Sequence, residues 1–204
     1  MIKAVLFDLD GVLTVDSTGS KSIIDYITKV TGVDVGTFTN AYRKHNYQLL
    51  YGHVTHTQIW GTICEEVGRQ IDIQVLFDSF IHTPMDSDML NLAMELKQKG
   101  YYIGLITDNK QDRVDYILSH HHLESLFDTV LISAALQSGK DKDLIFDEVI
   151  KKIPVQFEEC VFIDNKDSNL IIPAKKGMSA IYYDDRLRDL SGLKSKLLAL
   201  EVKL

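Results

Sequence analysis

The chain has 204 residues, of which 45% are hydrophobic and 25% charged, and its formal net charge is −7. Such a chain is long enough for a sizeable core and a small second lobe, and the negative balance argues against a nucleic acid or an anionic membrane surface as partner. No apolar run nears membrane-spanning length, the cysteines Cys64 and Cys160 form no CxxC pattern, and Met1-Ile2-Lys3 runs straight into an acidic motif, which together predict a cytoplasmic protein with reduced thiols and no leader.

Residues 2–7 read as a strand buried on both faces, because Ala4 to Phe7 is an unbroken run of small, branched and aromatic side chains. It ends in Asp8-Leu9-Asp10-Gly11, where the glycine lets the backbone turn away. Residues 11–20 read as a polar, flexible joint, with Ser20 expected to cap the helix that carries Ile23, Ile24, Ile27 and Val30. Gly32 ends that helix. Further helices are expected at 36–50, 56–68 and 72–82, with Phe38, Tyr42, Trp60, Ile63, Val67 and Phe80 in their apolar sets.

At Pro84 the pattern changes. A helix at 86–99 stops at Gly100, and strands at 101–106, 128–132, 160–163 and 179–183 alternate with helices at 111–121, 142–152, 167–176 and 189–200. Strand–helix alternation with short connections predicts an α/β fold, a doubly wound parallel sheet covered on both faces. The sheet domain is expected to comprise 1–15 and 84–204, interrupted by an inserted α-helical lobe at 16–83.

In open parallel sheets, ligands bind beyond the carboxyl ends of the strands. Asp8 and Asp10 sit at such an end. Two carboxylates this close repel unless a cation or a proton lies between them, so the pair suggests a divalent metal and covalent chemistry at a carboxylate.

Phe7-Asp8-Leu9-Asp10-Gly11-Val12-Leu13-Thr14 resembles motif I, DxDGxxx[TV], of the haloacid dehalogenase-like (HAD) superfamily, most of whose members are phosphatases. The resemblance extends along the chain. Gly104 to Asn109 is similar to motif II, with Thr107 as the hydroxyl residue and Asp108 where Asn is usual. Ser133 to Phe146 is similar to the stretch that carries the motif III lysine and places Lys140 there, with Lys142 as a rival and the usual Glu, Gly and Pro residues absent. Val161-Phe162-Ile163-Asp164-Asn165 is similar to motif IV, with Asn165 in place of the second acid.

The resemblance implies a HAD-like Rossmannoid core whose helical insert is a cap. It implies Asp8 as nucleophile, forming an aspartyl-phosphate, and Asp10 as general acid and then base. Lys140 would offset negative charge, and Thr107, Asp108, Asn109 and Gly11 would line the substrate. Mg²⁺ would be held by Asp8, by the backbone carbonyl of Asp10, and by Asp164 and Asn165, with Asp167 as a possible substitute. Asp108, an acid beside a phosphate, is expected to turn aside or to meet substrate hydroxyls.

These expectations amount to a Mg²⁺-dependent phosphatase acting on a small phosphorylated metabolite. A dehalogenase branch usually lacks the second acid, so Asp10 counts against it. A phosphomutase shares every motif, and the neutral Asn165 leaves room for a binding or regulatory protein on the same fold. In the lobe, His53 and His56 have a spacing that can bind zinc, but no further ligand pair accompanies them, and they are expected at the lobe surface or against substrate. Arg43, Lys44, His45 and Tyr47 are candidates to face the substrate.

Overall fold

Strand β1 (Ala4–Phe7) has no exposed residue, and it pairs in parallel with β2 (Tyr102–Thr107) on one side and β4 (Cys160–Asp164) on the other. β3 (Thr129–Ile132) lies outside β2 and β5 (Ser179–Tyr182) outside β4, so the order is β3-β2-β1-β4-β5, all parallel. These positions come from a computed structural model that describes residues 1–204.

The period-two alternation of strands divides the side chains between two cores. Val5, Phe7, Ile103, Leu105, Val161 and Ile163 pack under α6 (Ser87–Gln98), α7 (Gln111–His120) and α11 (Leu190–Ala199). Ala4, Leu6, Ile106, Cys160 and Phe162 pack under α9 (Leu144–Lys152) and α10 (Asp167–Lys176). Both cysteines are buried as free thiols. No helix is long and apolar enough to cross a membrane.

Between β1 and α6 the chain builds five helices: α1 (Gly19–Thr31), α2 (Val35–Lys44), α3 (Asn46–Leu50), α4 (His56–Val67) and α5 (Ile73–Ile81). Their inward faces form a separate core that includes Ile23, Ile27, Phe38, Tyr42, Trp60, Ile63 and Phe80. The two connections to the sheet run side by side, with Val15 N–H donating to Pro84 O and Asp86 N–H to Leu13 O.

Several local expectations are corrected. The expected flexible joint begins instead with a buried turn, Leu9–Leu13, closed by Thr14 N–H donating to Leu9 O; Val12 and Leu13 are apolar enough to join the sheet core. Thr18, not Ser20, caps α1, because its hydroxyl reaches Lys21 N–H while Ser20 turns to Asn46. The single helix expected over 36–50 breaks at His45, where the cap N–H is shared between the Tyr42 and Arg43 carbonyls. Asp128 does not join β3; its carboxylate accepts from Ile103 N–H at 2.8 Å and from Lys97 Nζ at 2.8 Å. A short helix, α8 (Ser133–Leu136), follows β3 directly.

His56 is neither on the surface nor against the cavity. It is fully buried at the seam between lobe and sheet domain, where Nδ1 lies 2.8 Å from Asp112 Oδ2 on α7 and Nε2 lies 2.8 Å from the Tyr42 hydroxyl. Burial pushes the imidazole below its ordinary range, against the pull of Asp112. The consistent arrangement is therefore a neutral ring, with Nδ1–H donating to Asp112 and Nε2 accepting from Tyr42. Phe77 of α5 stacks on Tyr116 of α7 beside it, with ring centroids 4.8 Å apart.

Substituting His56→Ala removes both bonds and opens a void under Phe80. The expected result is a loss of roughly 3 kcal/mol in urea unfolding. A loss below about 1 kcal/mol would show that the seam is held by the aromatic contacts alone.

Candidate active site

β1, β2 and β4 are neighbours and parallel, so their C-terminal ends open on one edge of the sheet. Asp8 follows β1, Thr107 ends β2 and Asp164 ends β4. Lys140 enters from the loop between α8 and α9. Its ammonium lies 2.9 Å from Asp8 Oδ1 and 2.6 Å from Asp164 Oδ2, and the side chain is 1% exposed. Burial opposes its charge, but Asp8, Asp164 and Asp108 together hold its proton affinity above the usual lysine range. Lys142 does not compete for this place; it is exposed and lies over the Tyr51 ring.

Asp8 Oδ1 accepts from Leu9 N–H at 2.7 Å as well as from Lys140, while Oδ2 takes part in no hydrogen bond. Burial pushes the Asp8 carboxyl up to about 7, against Lys140 and with a further push from Asp164 and Asp10. Asp164 is fully buried and satisfied: besides Lys140, it accepts from Lys166 N–H and from the Asn169 amide at 3.1 Å to each oxygen. Its carboxylate therefore fixes the lysine.

Asp10 is gripped from one side. Arg113 of α7, itself fully buried, donates to both carboxylate oxygens at 2.9 and 3.0 Å, and Asn109 Nδ2 donates to Oδ2 at 2.8 Å. Asn109 is thus placed differently from the expectation of a substrate contact. It is 1% exposed, and its amide oxygen accepts from Lys110 N–H and Arg113, so the side chain braces Asp10 rather than lining the cavity. Thr107 accepts weakly from Asn109 at 3.3 Å, which leaves its own hydroxyl proton to donate. Asp108 does line the cavity, and one oxygen accepts from Lys140 N–H at 2.9 Å, so it anchors the loop that presents the lysine.

Gly11 has φ +81°, and a Cβ there would lie 2.2 Å from Asn165 Nδ2. It is therefore a turn residue that lets Asn165 approach and not a wall of the cavity. Asn165 Nδ2 donates to Asp185 Oδ2 at 3.2 Å, and Asn165 Oδ1 is buried without a hydrogen bond. The orphaned Asn165 amide oxygen and the Asp8 carboxylate, whose proton affinity burial raises, are oxygen donors of the kind that fits a hard divalent cation such as Mg²⁺. Asp185, 20 positions downstream, brings a negative charge up to the neutral asparagine.

Above these residues lies a cavity of about 460 Å³ whose wall includes Asp8, Asp10, Thr107, Asp108, Lys140, Lys166 and Asn169 from the sheet domain. From the lobe come residues 17–20 at the start of α1, together with Arg43, Asn46 and Leu50, the one apolar side chain on the wall. Lys44 and His45 turn away to Glu66, and Tyr47 stacks on Tyr51. Lys110, on the same wall, has only 3% of its surface exposed.

Sequence reasoning missed Arg113, Lys110, Asp185 and Asn169 as site residues. The only local signal for Lys110 is that it follows Thr107-Asp108-Asn109 directly; Arg113 and Asp185 carry none.

Known proteins resemble this chain in sequence and in fold. A family model described as haloacid dehalogenase-like hydrolase matches residues 2–170. A sesquiterpene phosphatase of Aspergillus oryzae is 28% identical over 192 residues, covering 91% of each chain. A glyceraldehyde 3-phosphate phosphatase of Methanothermobacter thermautotrophicus is 27% identical over 208 residues, covering 93% of this chain and 88% of its own. Among solved structures, a HAD family enzyme of Bacteroides thetaiotaomicron, in complex with magnesium and inorganic phosphate, superposes with a TM-score of 0.75 at 21% identity over 95% of this chain and 99% of that one.

Lys110 has a measurable cost. Burial pushes its amine down to about 7, with Arg113 adding to the shift and Asp10 and Asp112 opposing it. Between that value and the unfolded value of about 10.4, the unfolded chain binds a proton that the folded chain does not, so this group makes stability rise with pH. Below about pH 7 both forms are protonated and the full penalty stands. Lys110→Met is expected to raise the Tm at pH 7 by about 5 °C or more. The gap should shrink toward pH 10 in scanning calorimetry, and a gap constant across that range would contradict the assignment.

Proposed function

We propose that this chain, which belongs to the haloacid dehalogenase-like hydrolase family, is a Mg²⁺-dependent phosphatase of small phosphorylated metabolites that works through an aspartyl-phosphate. The observation that carries the reading is Asp8 itself: one oxygen is held by Lys140 and Leu9 N–H, and the other is free to attack on a polar cavity. The relatives named as phosphatases support the reaction class.

In the first half-reaction the free Asp8 oxygen forms a bond to phosphorus as the ester P–O bond breaks, and Asp10 gives its proton to the departing alkoxide. Lys140 and the Thr107 hydroxyl hold the phosphoryl oxygens. Phosphoryl transfer asks little of a protein beyond such positioning and charge compensation. In the second half-reaction water attacks phosphorus, Asp10 takes its proton back, the bond to Asp8 breaks and orthophosphate leaves. Arg113 and Asn109 are positioning residues that aim Asp10 throughout.

Asp8 and Asn165 Oδ1, with the Asp10 backbone carbonyl, would hold Mg²⁺, and Asp164 would serve from behind through Lys140. The ion, when bound, supplies positive charge against the nucleophile and the phosphoryl oxygens. The lobe, residues 16–83, would be a cap that excludes water and selects the substrate.

Hydrolysis of p-nitrophenyl phosphate is expected to need Mg²⁺, to stop with EDTA and to fall to background in Asp8→Asn; turnover that survives Asp8→Asn would refute the nucleophile. In Asp10→Asn, the p-nitrophenolate leaving group needs no acid but the attacking water still needs a base. Rapid mixing should therefore show a burst of product followed by slow turnover. Steady-state turnover as fast as in the unaltered protein would remove Asp10 from the second step.

A further inference from the structure

We infer that the lobe side of the cavity is a subsite for a second anionic group of the substrate, formed by Lys110, Arg43 and the first turn of α1. The ester hydrolysed would then be short and polar, with a carboxylate or another phosphate at the end remote from the reacting phosphorus. This inference rests on the phosphatase reading.

Three cations are buried in the chain: Lys140, Arg113 and Lys110. The first holds Asp8 and Asp164 and the second holds Asp10, each in an ion pair of 2.9 Å or less. Lys110 alone pairs with no carboxylate; its ammonium donates to the Ser20 hydroxyl at 3.1 Å and lies 5.8 Å from the Tyr42 ring centroid. A buried ammonium without a counter-ion is strongly unfavourable; it is relieved by losing its proton or by meeting something anionic. Ser20 in turn donates to Asn46 Oδ1 at 3.2 Å, which leaves the Asn46 amide NH₂ without a partner. Arg43, also on this wall, makes no ion pair. The 13-residue α1 begins here, so the positive end of its dipole, and the first-turn N–H groups other than that of Lys21, add to the same side. The wall therefore offers donors and positive charge, in excess of anything the chain supplies to match them.

The reacting phosphoryl group does not account for this excess. Lys140 answers to Asp8, Asp164 and Asp108, whereas the charges that act on Lys110 are Arg113, Asp10 and Asp112. The two lysines thus answer to different sets of charges around the one cavity. With Leu50 as the only apolar residue on the wall, a long hydrocarbon chain has nothing to pack against.

The test compares ligands that differ only in the remote group. 3-Phosphoglycerate and glycerol 3-phosphate share a three-carbon skeleton and differ by a carboxylate against a hydroxymethyl. Fructose 1,6-bisphosphate and fructose 1-phosphate differ by a second phosphate. Binding is measured calorimetrically with Mg²⁺ in the Asp8→Asn protein, where no hydrolysis intervenes, and again with Lys110→Met or Arg43→Gln added. The charged member of at least one pair should bind at least tenfold tighter; which pair shows it tells carboxylate from phosphate. Lys110→Met should bring that preference to within twofold, and Arg43→Gln should reduce it.

Equal binding within both pairs, no binding of either charged ligand, or a preference that survives Lys110→Met would each overturn the subsite. Turnover of the same four esters by the unaltered protein is a separate readout. Tight, Lys110-dependent binding without turnover would uphold the subsite and sink the phosphatase reading instead.

Discussion

The Lys140 ammonium, shared between Asp8 and Asp164, is the interaction on which the rest of the site depends. It joins the C-terminal tips of the two adjacent strands β1 and β4 through a loop that belongs to neither. Two carboxylates at this depth repel each other unless a cation lies between them. A single enclosed cation bridges both and leaves one Asp8 oxygen free. Asn169 and the Lys166 N–H complete the shell around Asp164, so the lysine has one place to sit.

That constraint explains several otherwise odd residues. Asp108, an acid on the cavity wall, has its use in holding the Lys140 backbone. Gly11 is small because Asn165 must come close, and the Asn165 amide in turn donates to Asp185. Arg113 does for Asp10 what Lys140 does for Asp8, and it also ties α7 to the β1 tip. Each buried charge but one is matched inside the chain. The exception, Lys110, is destabilising by itself and faces the cavity, the pattern expected where stability has been exchanged for recognition.

The lobe is fixed to the same helix that carries these groups. α7 supplies Asp112 to His56, Tyr116 to Phe77 and Arg113 to Asp10, all on adjacent turns. One helix thus contacts both the lobe and Asp10.

The sheet and the place of Asp8 at a strand tip were legible in the sequence because their signals are local. An unbroken apolar run ending in Asp8-Leu9-Asp10-Gly11 marks a buried strand and its tip, and the later strand–helix alternation dictates a parallel sheet. Lys140 was legible because the residues around it resemble a known stretch, even though the spacing left Lys142 beside it. Only the folded chain decided which partners these groups have. Arg113 reaches Asp10 across 103 positions, His56 reaches Asp112 across 56, and Asp185 reaches Asn165 across 20. No periodicity or motif links residues so far apart. Whether a buried charge is matched or left open toward a cavity is a property of packing, and packing is settled only when the strands and helices have come together.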